Sequence, residues 1–268
     1  MIETAAFEEV TQFKLSTEMD GKPVYWAAAY LVDGLLIDTG PAVTAVELAA
    51  ALADKRVDKI VNTHFHEDHV GANNLIAKQH GASIFAPAAS IPHIQNPPPL
   101  RLYQKLVWGE PEPSSPSPLP DTVKTPNFTF SVIPTPGHSE GHVCLAELSR
   151  GWIFSGDIFA RETPKFTRPE EDMGQAVASM RTLVNLPTDR LVLFTSVGKI
   201  IEDGRGALTN TIEYLTGLSR QAKSLVARGR SPEQIMDTLF GGEHNFATIT
   251  NGHYRTMNLV KSLLEMEE

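Results

Sequence analysis

Three of the chain's nine histidines fall between positions 64 and 69, in the run Thr63-His64-Phe65-His66-Glu67-Asp68-His69-Val70-Gly71. His64 and His66 are two residues apart. In extended backbone they project to one side while Phe65 turns to the other, so both imidazoles can bind one cation at roughly 2.0–2.1 Å. Asp68 and His69 lie just past the bend and can reach a neighbouring position. Imidazole and carboxylate donors suit Zn, Fe or Mn better than soft copper(I). Two further segments offer donors: Thr135-Pro136-Gly137-His138-Ser139-Glu140-Gly141-His142, and Ser155-Gly156-Asp157 at the end of an apolar run. A divalent ion in such a setting lowers the pKa of its water to about 7 and polarises a carbonyl, which is the chemistry of hydrolysis at neutral pH. Asp68 could orient the attacking water or accept its proton. The competing reading of the cluster is a solvated polar turn, which would need no particular order of His and Asp.

The elements around these residues place them at strand ends. The cluster lies between a predicted strand over 58–63 and a predicted helix over 72–80 that stops at Gly81, where polar groups converge without leaving buried backbone unpaired. Upstream, apolar runs at 24–32 and 35–38 read as strands joined at Asp33-Gly34, followed by a helix over 42–54 opened by Pro41. Short strands are expected over 83–86, 128–133, 143–148, 152–155 and 191–195, and a helix over 173–186. From Gly204 the pattern becomes helical, over 208–227, 231–240 and 251–267, the second opened by Ser231 as cap with Pro232 in its first turn. Strand-rich halves with helices between them describe a layered α/β protein: residues 1–204 carry the donors, and 205–268 form a helical C-terminal extension packed on them. The stretch 87–126 holds 11 of the 19 prolines. Proline without periodicity excludes a regular helix or central strand. This insertion reads as a surface loop or as a lid, with Tyr103, Leu106 and Trp108 as its apolar contacts.

Composition narrows the partners. A length of 268 residues is ample for a buried core, and a net charge of -9 argues against a general polyanion binder. Arg220, Lys223, Arg228 and Arg230 are spread over helical turns with no aromatic interleaving, the pattern of a solvated face. The single cysteine, Cys144, excludes an intramolecular disulfide and a multi-cysteine metal site, and suits a reducing cytosol. The N-terminal segment is acidic without an apolar run, and no stretch approaches the roughly 18 apolar residues of a membrane span. These features lead us to expect a cytoplasmic protein that acts on a small molecule and binds neither nucleic acid nor membrane. The apolar-rich stretch 258–264 serves either packing or a homodimer.

The order of Asp38-Thr39-Gly40, His64-x-His66-x-Asp68-His69-x-Gly71, Gly137-His138 and Gly156-Asp157 resembles the metallo-β-lactamase fold superfamily of metal-dependent hydrolases, over about residues 24–204. The resemblance implies a four-layer αββα sandwich with its site at one edge, holding one or two divalent ions, zinc foremost. It implies His64, His66 and His138 as ligands of the first ion, Asp68 and His69 as ligands of the second, and Asp157 as the bridge. An anionic bridge is what two adjacent cations require. Asp38 would brace the histidine loop from behind, and His142 would support the ligands.

One position departs from the pattern. The superfamily usually supplies a further histidine in a Gly-His-Gly setting after a late strand. Here Phe194-Thr195-Ser196-Val197-Gly198 occupies that place, with Val197 where the histidine would be. The second ion is therefore expected to bind more weakly, or to gain a ligand from elsewhere such as His253. Ser196, His253, Tyr254 and Trp108, with Tyr103, are candidate pocket residues. The leading expectation is hydrolysis of a lactone, thioester or ester. A second is an iron centre on His64, His138 and Asp157 that oxidises persulfides, an activity the resemblance brings with it. A third is a metal- or ligand-binding protein without turnover.

Overall fold

In the computed structural model, which describes residues 1–267, fifteen strands and nine α-helices follow one another along the chain. The chain begins with β1 (Ile2–Phe7) and β2 (Val10–Leu15), an antiparallel hairpin. A small hairpin of β3 (Glu18–Met19) and β4 (Lys22–Pro23) follows. Strands β5 (Ala27–Val32), β6 (Leu35–Ile37), β7 (Lys59–Val61), β8 (Ser83–Ala86) and β9 (Ser117–Pro118) complete a seven-stranded sheet in the order β1-β2-β5-β6-β7-β8-β9. The second sheet has six strands in sequence order: β10 (Thr122–Lys124), β11 (Thr129–Pro134), β12 (Val143–Glu147), β13 (Trp152–Gly156), β14 (Val192–Thr195) and β15 (Ile200–Ile201).

The helices are α1 (Ala45–Leu52), α2 (Asn73–His80), α3 (Ile91–Gln95), α4 (Leu102–Val107), α5 (Met173–Val184), α6 (Gly204–Ala227), α7 (Pro232–Phe240), α8 (Phe246–Ile249) and α9 (Thr256–Glu265). Side-chain alternation along β5 explains the layering. Ala28, Tyr30 and Val32 face the second sheet and pack with Phe130, Leu145, Phe154 and Phe194, whereas Ala29 and Leu31 face α1 and α2 and pack with Leu48, Leu52 and Ile76. On the far side of the second sheet, Ile153 and Leu193 pack with Met180 of α5, Leu208 and Leu215 of α6 and Leu263 of α9. The result is the expected helix–sheet–sheet–helix order. Every residue of β5, β12 and β13 is buried because both faces of each strand meet apolar layers.

Four differences from the sequence reading have physical causes. The hairpin β1–β2 carries no turn signal; its turn uses Glu8 at φ 52 in place of a Gly or Asn. The Pro-rich segment 87–126, read as free of regular helix, forms α3 and α4: Pro92 stands in the first turn of α3, where no N–H is needed, and α4 contains no proline. Within it Leu106 is 61% exposed and makes no buried contact of the kind a lid would need. The helix expected over 251–267 begins at Thr256, because Asn251 and Gly252 both have positive φ. Ser231 caps α7 as read, its hydroxyl accepting from the Gln234 N–H. Among the described residues no helix is long and apolar enough to cross a membrane.

Candidate metal centre

Four strand ends meet at one edge of the sandwich. β6 and β7 run parallel and deliver Asp38 and the loop 63–71; β13 and β14 run parallel and deliver Asp157 and Ser196; the loop before β12 delivers His138 and His142. Close approach is needed where these loops cross. Gly156 has φ +48, and a Cβ there would stand 2.4 Å from His142 Nε2 and 3.0 Å from Thr63 Oγ1. Asp38 itself sits at φ 56, a left-handed conformation that Asp tolerates better than most residues.

Asp38 organises the histidine loop. Its carboxylate accepts from the Thr63 backbone N–H at 2.8 Å, from the Thr63 hydroxyl at 2.9 Å and from His69 Nδ1 at 2.7 Å. The Thr63 hydroxyl gives its one proton to Asp38, so it accepts from His64 Nδ1 at 3.0 Å. These bonds orient both rings and leave Nε2 of His64 and His69 facing the site.

Two donor groups result. His64, His66, His138 and Asp157 form one; Asp68, His69 and Asp157 form the other, with the ligating atoms in each within 4.8 Å of one another. His64 Nε2 and His138 Nε2 each lie 2.9 Å from His66 Nδ1. Asp157 stands between the groups, Oδ1 3.2 Å from His69 Nε2 and Oδ2 3.2 Å from His138 Nε2. All six side chains named as ligands in the sequence are thus brought together.

The electrostatics show what these groups lack. Burial, reinforced by neighbouring histidines and Arg168, pushes His64 and His66 well below the usual histidine range, so both are neutral. Burial pushes Asp68 up to about 6, with the Asp157 charge adding to it. Burial also opposes charge on Asp157, but His69 and His138 outweigh it and hold the carboxyl well below its ordinary value. His69 is raised against its burial by Asp38, Asp157 and Asp68, and His138 by Asp157 and Glu171. Asp68 Oδ1 is buried without a hydrogen-bond partner. Ring nitrogens crowded at 2.9 Å around the neutral His64 and His66, beside that unsatisfied carboxylate oxygen, are the environment a divalent cation completes. The residues therefore fit one or two such ions.

His142 cannot join them. Its Nε2 accepts from the Asp157 N–H at 3.0 Å and its Nδ1 donates to Thr135 Oγ1 at 2.9 Å, so both ring nitrogens are spent supporting the Asp157 loop. Burial pushes it down to about 3, which keeps it neutral. Val197 supplies no donor, and among the described residues no fourth group joins Asp68, His69 and Asp157. His253 does not replace the absent histidine: its Nδ1 pairs with the Tyr103 hydroxyl at 2.7 Å and its Nε2 faces Glu170 at 3.8 Å. Ser196 is buried with no partner for its Oγ, although its dipole adds to the stabilisation of the Asp157 charge.

Two cavities adjoin the donors. The larger, about 540 Å³, has His138 and Asp157 at one end and includes Trp108, Tyr103 and Tyr254 in its wall. The smaller, about 200 Å³, is bordered by His66 and holds His253. Of the candidate pocket residues, Trp108 and Tyr254 therefore line the first, His253 the second, and Ser196 neither.

Three residues escaped the sequence reading. Glu171 places Oε2 3.8 Å from His138 Nδ1. Arg168, almost fully buried, donates from Nε to the Tyr254 hydroxyl at 2.7 Å and faces Glu67 at 3.5 Å. Tyr25 lines the larger cavity, and burial, reinforced by the Asp157 and Asp68 charges, keeps its phenol protonated. No motif marks any of them; each reaches the site only through tertiary packing.

Comparison with known proteins agrees with this geometry. Residues 27–195 match the sequence pattern described as the Metallo-beta-lactamase superfamily. An uncharacterized protein of Aquifex aeolicus is 28% identical over 173 residues, 60% of this chain and 77% of that one. A hydroxyacylglutathione hydrolase of Rhizobium johnstonii is 30% identical over 151 residues, 54% of this chain and 50% of that protein. The chain thus spans about half the length of the hydrolases it matches. Among solved structures, a metallo-beta-lactamase family protein from Thermus thermophilus superposes with a TM-score of 0.68 at 18% identity, covering 97% of this chain and 93% of the other.

Proposed function

The chain belongs to the metallo-beta-lactamase superfamily, and we propose on that footing that it is a metal-dependent hydrolase of a small carbonyl substrate, a thioester, lactone or ester. The observation that carries the reading is the meeting of three imidazoles and Asp157 beside the unsatisfied Asp68 Oδ1 and the His69 ring. His64, His66, His138 and Asp157 would hold one ion; Asp68, His69 and Asp157 would hold a second, less tightly, with three protein donors against four. Bound there, divalent ions would supply Lewis acidity and lower the pKa of a bound water to about 7.

The chain's own residues do the rest. Asp68 stands among the donors, where its ionised carboxylate orients the attacking water or accepts its proton. Tyr25, kept protonated in the wall of the cavity that Asp157 and His138 border, is a candidate donor to the carbonyl oxygen. Asp38 and Glu171 hold His69 and His138 in place from behind. The 30% identity to hydroxyacylglutathione hydrolases supports a hydrolytic reaction.

The test is hydrolysis of thioesters, lactones and esters by protein purified natively and assayed for metal content, before and after chelation. Turnover that vanishes on chelation and returns with Zn, Mn or Fe supports the reading. Turnover that survives complete metal removal overturns it, as does oxygen uptake with a persulfide in place of any hydrolysis.

A further inference from the structure

The larger cavity carries information about the substrate that the metal donors do not. It is about 540 Å³, within the range that holds a drug-sized molecule. One end is His138 and Asp157. Its apolar lining includes Tyr25, Trp108, Ile158, Met173, Met180 and Leu215, and half-buried Phe166 and Phe246 with exposed Ile249 form its solvent-facing mouth. The aromatic rings support one another: Tyr25 meets Trp108 edge-on at 5.6 Å, and Phe166 stacks on Phe246 at 5.0 Å. Besides the Asp157 and Glu171 carboxylates at the His138 end, the only full charge in the wall among the described residues is exposed Arg161, whose guanidinium is already 5.1 Å from the Phe166 ring.

We propose that this cavity binds the acyl part of the substrate, an uncharged hydrocarbon chain of medium length whose carbonyl lies at the Asp157 end. This rests on the hydrolase reading and names its substrate class. A glutathionyl group, with two carboxylates and an ammonium, would meet a single exposed arginine and the Asp157 and Glu171 carboxylates, so at least one of its own carboxylates would lack a cationic partner, and burying unpaired charge is costly. An alkyl chain needs no partner. The two methionines suit it further, since flexible thioethers adapt to irregular apolar shapes. Thr211, Leu215, Phe246, Ile249 and Tyr254 lie beyond the family-matched residues 27–195, so the C-terminal helices supply part of this wall.

The experiment uses the full metal-loaded protein and two readouts. Calorimetry measures binding of acetate, hexanoate and decanoate; kinetics measure hydrolysis of the matching acyl thioesters with one small neutral leaving group. Both affinity and kcat/KM should rise about fourfold per added methylene until the cavity is filled, the fold-change expected from burying one CH₂. Val24→Trp and Ile249→Asp, at lining positions 42% and 65% exposed and so tolerant of change, should each collapse the advantage of decanoyl over acetyl. Chain-length dependence absent from both readouts overturns the inference, as does dependence that both variants leave intact. Hydrolysis without chain-length dependence leaves the hydrolase reading standing and removes this one. Graded binding of the acids with no hydrolysis of any thioester, lactone or ester does the reverse.

Discussion

The metal end of the larger cavity and its apolar mouth are built by different means. At the metal end, rigid strands deliver short polar side chains whose atoms are fixed by hydrogen bonds: Asp38 alone receives three. At the mouth, Phe166, Phe246 and Ile249 come from a loop and the short helix α8, and Ile249 is 65% exposed. Chemistry and selectivity can therefore be varied separately. Donor geometry tolerates little change, because a buried unpaired donor is costly; an apolar wall tolerates much, because its contribution is non-directional.

If that division is right, substitutions should sort by region. His64→Ala or His138→Ala should empty the first site and lower kcat/KM by roughly 10³-fold or more, since a Lewis acid contributes several kcal/mol and each 1.36 kcal/mol is tenfold; metal analysis alongside kinetics checks it. A variant that kept full metal and full activity would break the comparison at its strongest point. Asp38→Asn keeps the shape but weakens the bond that orients His69. It should cost about 10- to 100-fold in affinity at the second site and less at the first, read by competitive metal titration. Tyr25→Phe should lower kcat about tenfold with little change in metal content, separating a donor at the reaction end from a wall residue.

The pH dependence has a definite sign. Folding raises the Asp68 carboxyl from its ordinary value to about 6, so the metal-free fold is favoured by this group as pH falls through 6 and penalised above it. A cation removes that penalty but requires the ionised carboxylate. Binding at the second site requires both an ionised Asp68 and a deprotonated His69, whose hold on its proton is strengthened by Asp38, Asp157 and Asp68, so affinity should fall as pH falls and Asp68→Asn should flatten that dependence only below about pH 6, as measured by metal titration between about pH 5 and 8. The smallest effect is expected far from the site. Ser231→Ala removes the cap of α7 and should cost about 1 kcal/mol in denaturant unfolding while metal binding and turnover stay unchanged.

What could be read from the sequence follows the same division. His64, His66, Asp68 and His69 announce themselves because local spacing places them on one loop, whereas Gly137-His138 and Gly156-Asp157 are weak signals alone and gain meaning only beside that cluster and through the family resemblance. The layered fold was legible because strand alternation and helix caps are local signals. The hairpin β1–β2 was not, since its turn carries no Gly or Asn, and α3 and α4 were hidden by prolines that sit where a helix tolerates them.

The amino-acid order alone determined the donor set, its ordering along the chain and the absence of a histidine at Val197. Tertiary structure decided the rest: that His142 is spent on Thr135 and Asp157, that His253 pairs with Tyr103 rather than reaching the donors, and that Tyr25, Arg168 and Glu171 converge on the site from separate segments. The physical reason is that a ligand motif is encoded over a few residues of backbone geometry, whereas a cavity wall is defined by which distant surfaces pack, and non-directional apolar contacts leave no spacing to read.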